Sequence, residues 1–367
     1  MGKCLLTEDY DKTRYEVETP LFSRIDYKQV RADLGVPDYV EYANYLLERG
    51  LVTIWAARKA ASLPGLNTIT QPTKIKDEPI PVLFFGGGAI KMLCKIANDR
   101  RSPLYREIDD IDLITSRKRG QDLYKLLLVL GEACGTRYYH FVTRTDRRFN
   151  VMRAGKRYRV RAIDKIMDEN SLKPGTLDLF TDEIDLRHKV DVKAALDSPE
   201  NSLYTIGPEN VLLAKCQYIF DVPRSQHEDL VRYGLEYRIL DYPSYKKDKL
   251  LIGIEEKDIK DICSILLSYE LGEGTDCVSI MKMKELLEKD RKFALTFRLN
   301  LESLARNELL LKKFGLSSNY VERILSKVGA ILVGIPTVDK KWSSPWWNVD
   351  VETPQIFGKV GVSTEEV

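Results

Sequence analysis

The chain has 367 residues, 44% of them hydrophobic and 31% charged, enough for two or three domains or one large core with appendages. Its 57 Lys+Arg against 55 Asp+Glu leave a formal net charge of +2. That balance excludes a global field favouring nucleic acid or membranes, so any polyanion site has to come from local clustering.

No apolar run approaches the roughly 20 residues of a spanning helix. The opening MGKCLLTEDYDK lacks the basic-then-apolar order of a signal peptide, so a cytoplasmic protein is expected. Six scattered cysteines without a C-x-x-C pair, and three separated histidines (His140, His188, His227), argue against a disulfide framework or a zinc site.

Residues 1–78 read as a separate helical region, with helical spacing in SRIDYKQVRADLG and PDYVEYANYLLERG before the turn-rich SLPGLNTITQPTKIKDEP. The order helix, LGV turn, helix, LLERGLVTIW is loosely that of a winged helix-turn-helix, and a plain helical cap on the next domain fits the same residues. From Pro81 strands and helices alternate: PVLFF as a buried strand, GGG, a helix over AIKMLCKIAN, a strand over REIDDIDLI and a helix over GQDLYKLLLVLGEA. RRFNVM and KRYRVRAI then read as hairpin strands around Ala154-Gly155, followed by a strand over GTLDLF. This pattern implies an α/β core. From Pro208 helices dominate, over PENVLLAKCQYIF, EKDIKDICSILLSYE, the long run from Ser279 to Gly315, and SSNYVERILSKVGAIL. The expected divisions are 1–78, 79–220 for the core, 221–335 for a helical domain, and 336–367 for an irregular tail.

REIDDIDLI raises a question of charge. In a strand Asp110 and Asp112 share one face while Asp109 lies on the other. Two like charges side by side on a half-buried strand cost several kcal/mol, on the order of 2 or more, unless something positive compensates them. Carboxylates without imidazole or thiolate partners suit a hard cation such as Mg²⁺, which completes its shell with water and phosphate. A solvated strand edge, or a cap on the next turn, accounts for the same pair. Upstream, Gly86, Gly87 and Gly88 lie between a strand and a helix, where backbone N–H groups form an anion site. Neither a P-loop nor a G-x-G-x-x-G fingerprint is present.

Gly-Gly, a helix and Asp-Ile-Asp on the next strand together resemble the nucleotidyltransferase superfamily with the DNA polymerase beta-like fold. The long spacing from Gly87 to Asp110 is similar to that of its abortive-infection, toxin-type branch, in which an Arg precedes the acidic pair as Arg106 does here. LDLFTDEIDLRHKVDV with TIGPENVLLAKCQYIF resembles that branch's third carboxylate strand and its Leu-Leu-x-Lys-x-Gln helix, and EKDIKDICSILL its Lys-Asp-x-x-Asp helix. The resemblance covers about residues 80–270. It implies an α/β (α+β) fold, a small mixed sheet flanked by helices, with helical N-terminal (or winged-helix) and C-terminal regions.

The resemblance also implies roles. Asp110, Asp112 and Asp178 would ligate two Mg²⁺ ions, with Mn²⁺ as a substitute, and Asp178 would also orient or deprotonate the acceptor hydroxyl. Asp185 and Asp191 are the competing choices for the third carboxylate, and Asp109 is expected to be dispensable. Gly86 and Gly87 would carry the triphosphate of an NTP substrate on their backbone, with Arg106, Lys215, Lys257 and Asp258 as further nucleotide-site residues. A lysine inside VLLAKCQYI either snorkels or meets an anion, supplied by phosphate, Asp178 or Asp258. Lys257 and Asp261 form an i, i+4 pair that helix electrostatics alone would explain.

Arg157, Arg159 and Arg161 alternate along a strand and either grip an RNA or DNA backbone or form a solvated face. The tryptophans of WSSPWW either stack bases or, as expected, dock onto the protein. The function implied is transfer of a nucleoside monophosphate to a hydroxyl of RNA, with tRNA foremost, or of a protein, and a toxin of this branch would have an antitoxin partner. The rival reading is a nucleotide-sensing, nucleic-acid-binding regulator without turnover.

Overall fold

The computed structural model describes residues 26–40, 45–59, 78–133, 138–141, 144–164, 175–198, 203–274 and 276–350. The opening segment, most of the turn-rich stretch before Pro79, Cys4, Cys134 and the end of the tail lie outside them. The chain forms two compact units, residues 1–184 with 191–211, and residues 185–190 with 212–367. The architecture is mixed α/β, and no helix among the described residues is long and apolar enough to cross a membrane.

The first unit is built on a sheet. Helices α1 (Tyr27–Asp33) and α2 (Tyr45–Arg58) precede β1 (Val82–Phe85), α3 (Gly86–Leu93), β2 (Asp110–Thr115) and α4 (Gly120–Ala133). Then come β3 (Tyr138–Phe141), α5 (Arg144–Met152), β4 (Arg157–Asp164) and β5 (Gly175–Thr181). The strand order is β1-β2-β5-β4-β3, with β2 and β5 parallel and the other neighbours in that path antiparallel.

Opposed residues on paired strands point to the same side of the sheet, so the register assigns its two faces. One face carries Phe84, Leu113 and Leu179 in one row and Ile111, Leu177 and Val160 in the next, all of them buried. Each such side chain contributes roughly 1.5–3 kcal/mol on burial. α2 packs on this face: a β-carbon at Gly50 would run into the Phe84 ring. Glycine inside a helix costs about 1 kcal/mol, which the close approach of helix to strand offsets. α4 covers the same face, where Gly120 lies against Thr181 and Tyr158. The N-terminal helices therefore belong to the compact unit of the sheet.

The opposite face carries the charge. The row Phe85, Asp112, Asp178, Arg159 crosses β1, β2, β5 and β4. On one side of it lies the row Leu83, Ile114, Phe180, Arg157, and on the other Asp110, Thr176 and Arg161. Apolar packing thus occupies one end of this face and acids and guanidinium groups the rest.

Two expectations need correction here. RRFNVM lies in helix α5, whose Asp146 and Asn150 are buried while Val151 and Met152 are 77% and 72% exposed. Asn150 fastens that helix to β4, accepting from the Arg159 N–H at 2.6 Å and donating to its carbonyl at 2.9 Å. The acidic strand begins at Asp110, so Asp109 precedes the ladder and has no place on its other face.

The second unit holds a three-stranded antiparallel sheet, β6 (Phe220–Pro223), β7 (Ile239–Leu240) and β8 (Lys249–Ile252), with β8 central. The helical run expected through Phe220 stops with α6 (Pro208–Cys216), because Phe220 and Val222 pair with Ile252 and Leu250. α7 spans Glu256–Ser268 and starts with a reciprocal cap between Glu255 and Asp258. The long run from Ser279 is three helices, α8 (Ile280–Lys289), α9 (Arg291–Arg306) and α10 (Glu308–Lys313), before α11 (Ser318–Gly334). Asp290 makes the first break by capping α9 through the N–H groups of Lys292 and Phe293. Trp346 and Trp347 are buried against Ile219, Leu240, Tyr245 and Leu295, so the tail docks onto the protein as expected.

Candidate active site

Gly86 starts α3 in the left-handed region, at φ +59, and a β-carbon there would collide with the Asp112 carboxylate. Only glycine lets the chain turn from β1 into α3 while its backbone lies against that acid. A β-carbon at Gly87 would sit 3.6 Å from Nη2 of Arg106, whose guanidinium also donates to the Glu107 carbonyl. The Arg106 N–H bonds the Ala97 carbonyl at 3.1 Å, which ties the loop before β2 to the 3-10 turn Lys95–Ala97 that follows α3. Gly86, Gly87, Arg106 and Asp112 are thus brought together. Asp110 lies two residues along the same strand face and is exposed, while Asp112 is half-buried.

Asp178 sits directly across from Asp112 in the parallel β2-β5 pair, with neighbouring strands about 4.8 Å apart. Its side chain is engaged on the other side. Arg159 donates to it in bidentate fashion, Nε to Oδ1 at 2.8 Å and Nη2 to Oδ2 at 2.9 Å, and Nη2 of Arg157 also bonds Oδ2. Burial pushes the Asp178 carboxyl upward, but Arg159 and Arg157 outweigh burial and hold it below the ordinary carboxylate range. The arginines are supported in turn: the Phe149 ring of α5 lies 4.7 Å from the Arg159 guanidinium carbon, and Arg157 lies 4.5 Å from the Phe180 ring centre.

Arg161 is also paired. Its Nε and Nη2 each reach the buried Asp146 carboxylate at 3.0 Å, and its Nη1 donates to Thr176 Oγ1 at 2.9 Å. The arginine row of β4 therefore faces acids on its own sheet and on α5. Asp146 is a site residue the sequence reading passed over, and Phe149, expected as an aromatic beside the arginine row, lies against Arg159. The signal was the helical spacing of Asp146, Phe149 and Asn150, hidden by reading this stretch with a period of two.

Among the described residues, no group of three or more His, Cys, Asp or Glu side chains is disposed to hold a metal ion. The physical reason at Asp178 is its clamp: both oxygens are hydrogen-bonded to guanidinium groups. Asp110 and Asp112 offer oxygen donors beside a glycine turn, a chemistry that fits one hard cation keeping several waters and phosphate oxygens. Asp178, the third carboxylate the resemblance implies, lies directly across the strand pair from Asp112 with both oxygens held by guanidinium groups. Of the competing acids, Asp191 caps its own turn by accepting from the Lys193 N–H at 3.0 Å.

The remaining candidates lie in the second unit. Lys215 Nζ is 2.7 Å from Asp261 Oδ2 and 3.2 Å from Asp258 Oδ1, so Asp258 is the anion it meets, together with Asp261. Lys257 pairs with Glu255 at 3.2 Å, and the i, i+4 partner expected for it, Asp261, serves Lys215. One ammonium between two buried carboxylates is a costly arrangement that persists only when all three groups are present. Burial, with Asp258 near it, raises the Cys216 thiol well above its usual range, and burial with Asp261 takes Cys263 up to about 12, so neither is a nucleophile at neutral pH.

Comparison of the chain with protein-family models, with curated proteins and with solved structures finds no significant match.

Proposed function

We propose that the first unit is the core of a Mg²⁺-dependent nucleotidyltransferase, moving a nucleoside monophosphate from an NTP to a hydroxyl acceptor. The observation that supports this most is the close approach of the Gly86 backbone to the Asp112 carboxylate, on the strand flanked by Asp178. A phosphate-binding turn and a cation-binding acid are what such a transfer needs side by side.

In this reading Asp110 and Asp112 hold the metal, and the backbone of Gly86 and Gly87 receives triphosphate oxygens. A bound Mg²⁺ would neutralise the phosphates and lower the pKa of the attacking hydroxyl. Arg106, beside Gly87, adds positive charge where phosphate oxygens would lie. Asp178 is held as a carboxylate by Arg157 and Arg159. Arrival of a triphosphate gives those arginines a second set of anionic partners. Their exchange from Asp178 to phosphate frees Asp178 to orient or deprotonate the acceptor hydroxyl.

With Arg157 and Arg159 shared between Asp178 and the triphosphate, and Arg161 held by Asp146, they are poor candidates for gripping the backbone of an RNA acceptor. The acceptor class, RNA or a protein hydroxyl, is then set elsewhere on the chain. The Asp178 clamp favours one second reading, nucleotide sensing without turnover, in which the arginines never release the acid. Incubation with each labelled NTP, Mg²⁺, and total RNA or total protein separates the two. Transfer abolished by Asp110→Ala with Asp112→Ala supports the enzyme, whereas transfer undiminished in that variant, or none with any NTP, rejects it.

A further inference from the structure

Lys91 is a buried basic group that the transfer reading leaves unused. It is 0% exposed, on a helix all of whose residues are buried. A lysine head taken out of water is costly unless hydrogen bonds or a π face stand in for its hydration. Both are present here. Nζ donates to the Ala97 carbonyl at 3.0 Å and lies 4.3 Å from the centre of the Tyr105 ring.

These two partners bracket Arg106. The Ala97 carbonyl also accepts the Arg106 N–H at 3.1 Å, and Tyr105 is the residue immediately before Arg106. One carbonyl therefore takes a donor from α3 and another from the loop before β2, while the neighbouring ring covers the same ammonium. Gly87 and Lys91 stand four residues apart on α3, so they share a helix face and lie about 6 Å apart along its axis. At the Gly87 end of that face is Nη2 of Arg106, 3.6 Å from where a β-carbon would stand. Arg106 is thus held by its backbone beside Lys91 and lays its guanidinium back along α3 towards the glycine turn.

The lysine is itself fixed in place. Asn98 Nδ2 donates to the Lys91 carbonyl at 2.8 Å and to the Cys94 carbonyl at 3.0 Å, which closes the end of α3. The Tyr39 hydroxyl donates to the Met92 carbonyl at 2.8 Å. An apolar side chain of the same length would fill the space at lower desolvation cost. What it would lack is the directed bond to the Ala97 carbonyl and the charge under the Tyr105 ring, the two contacts that hold the Arg106 backbone against α3.

We propose that Lys91 is a positioning residue of the phosphate site, aiming Arg106 at the glycine turn without itself touching nucleotide or metal, an assignment that rests on the transfer reading of that turn. Calorimetric affinity for each NTP with Mg²⁺ is compared among the unaltered chain, Lys91→Met, Arg106→Gln and the double variant. Amide hydrogen exchange on the same proteins without nucleotide gives a second, independent readout. Methionine keeps the length and bulk of the lysine stem, so the fold is retained. Leu126→Ala, on α4 against the opposite face of the sheet, lowers stability away from Arg106 and serves as the structural control.

Lys91→Met should weaken NTP binding about fivefold and Arg106→Gln about tenfold. In the Arg106→Gln background, Lys91→Met should change the affinity by less than about twofold, because the group through which it acts is gone. Exchange at the Arg106 amide should quicken about tenfold in Lys91→Met while that of Leu113 and Ile114 in β2 stays as it was. Leu126→Ala should leave affinity and the Arg106 amide unchanged. An equal loss of affinity from Lys91→Met in both backgrounds, no loss in either, an unaltered Arg106 amide, or a matching loss in Leu126→Ala would each overturn the proposal while leaving the transfer reading in place. Absence of binding of any NTP to the unaltered chain would reject that reading and the proposal with it.

Discussion

Asp178→Asn removes the charge that holds Arg157 and Arg159 against β5 while keeping the side chain's size. Asp178 is 5% exposed, and the side chains of Arg157 and Arg159 are 19% and 15% exposed, so water screens little of the interaction. Breaking a buried pair by neutralising one partner costs about 3–5 kcal/mol. The asparagine oxygen still accepts one hydrogen bond, which puts the expectation at the lower end, about 3 kcal/mol. Two units make a single global melting curve ambiguous, so the readout is urea-dependent hydrogen exchange at the amides of β4 and β5. Combining Asp178→Asn with Arg157→Met and Arg159→Met replaces the whole buried cluster and should recover most of the loss. Because the folded pKa of Asp178 lies below its unfolded value, its contribution is complete above the unfolded pKa and disappears as pH falls through the folded one. A loss under about 1 kcal/mol, or one unchanged between pH 7 and the acid range, would refute the claim that the two arginines clamp a carboxylate.

Further expectations concern the glycine turn, a buried histidine and the docked tail. Gly86→Ala puts a side chain at φ +59, a cost of about 1–2 kcal/mol, and into the Asp112 carboxylate; Mg²⁺·NTP affinity measured calorimetrically should fall more than tenfold. Burial, only partly countered by Asp290, lowers the His188 imidazole to about 4, and its Nε2 lies 2.8 Å from Thr296 Oγ1. The unfolded chain binds this proton near pH 6.5 and the folded chain near 4, so the second unit should lose on the order of 2–3 kcal/mol as pH drops through that window. His188→Gln should flatten that part of a urea-stability profile. Trp346→Ala removes a side chain 3% exposed and its 2.9 Å bond to Thr296, and denaturation of the second unit should show a loss of about 3–5 kcal/mol.

The elements legible in the sequence were those with a strong local period. PVLFF, the helix over Gly120–Ala133, GTLDLF and the helix at Glu256 all form near their expected positions, because alternation or helical spacing is written within each segment. Segments whose pairing partner is distant in sequence were not. Phe220–Pro223 and Lys249–Ile252 become strands through each other, and nothing inside either segment announces the match. α5 was misread because Arg148, Phe149, Asn150 and Val151 alternate in polarity by accident, while the groups that dock are Asp146, Phe149 and Asn150. At the candidate site, the proximity of Gly86 to Asp112 and of Asp112 to Asp178 follows from strand order, which no spacing within the sequence states and only the family resemblance implied. The arginine clamp on Asp178 could not be foreseen, since it depends on β4 pairing antiparallel to β5 in a register that sets Arg159 opposite Asp178.

The central claim is that Asp110, Asp112 and the glycine turn together receive a divalent cation and a triphosphate. Calorimetric titration of each NTP with Mg²⁺ into the full chain, and into Asp110→Asn with Asp112→Asn, tests it most directly. The account expects saturable, Mg²⁺-dependent binding of at least one NTP, weakened more than tenfold in the double variant. Equal isotherms for the two proteins, or no binding of any NTP to the unaltered chain, would contradict it.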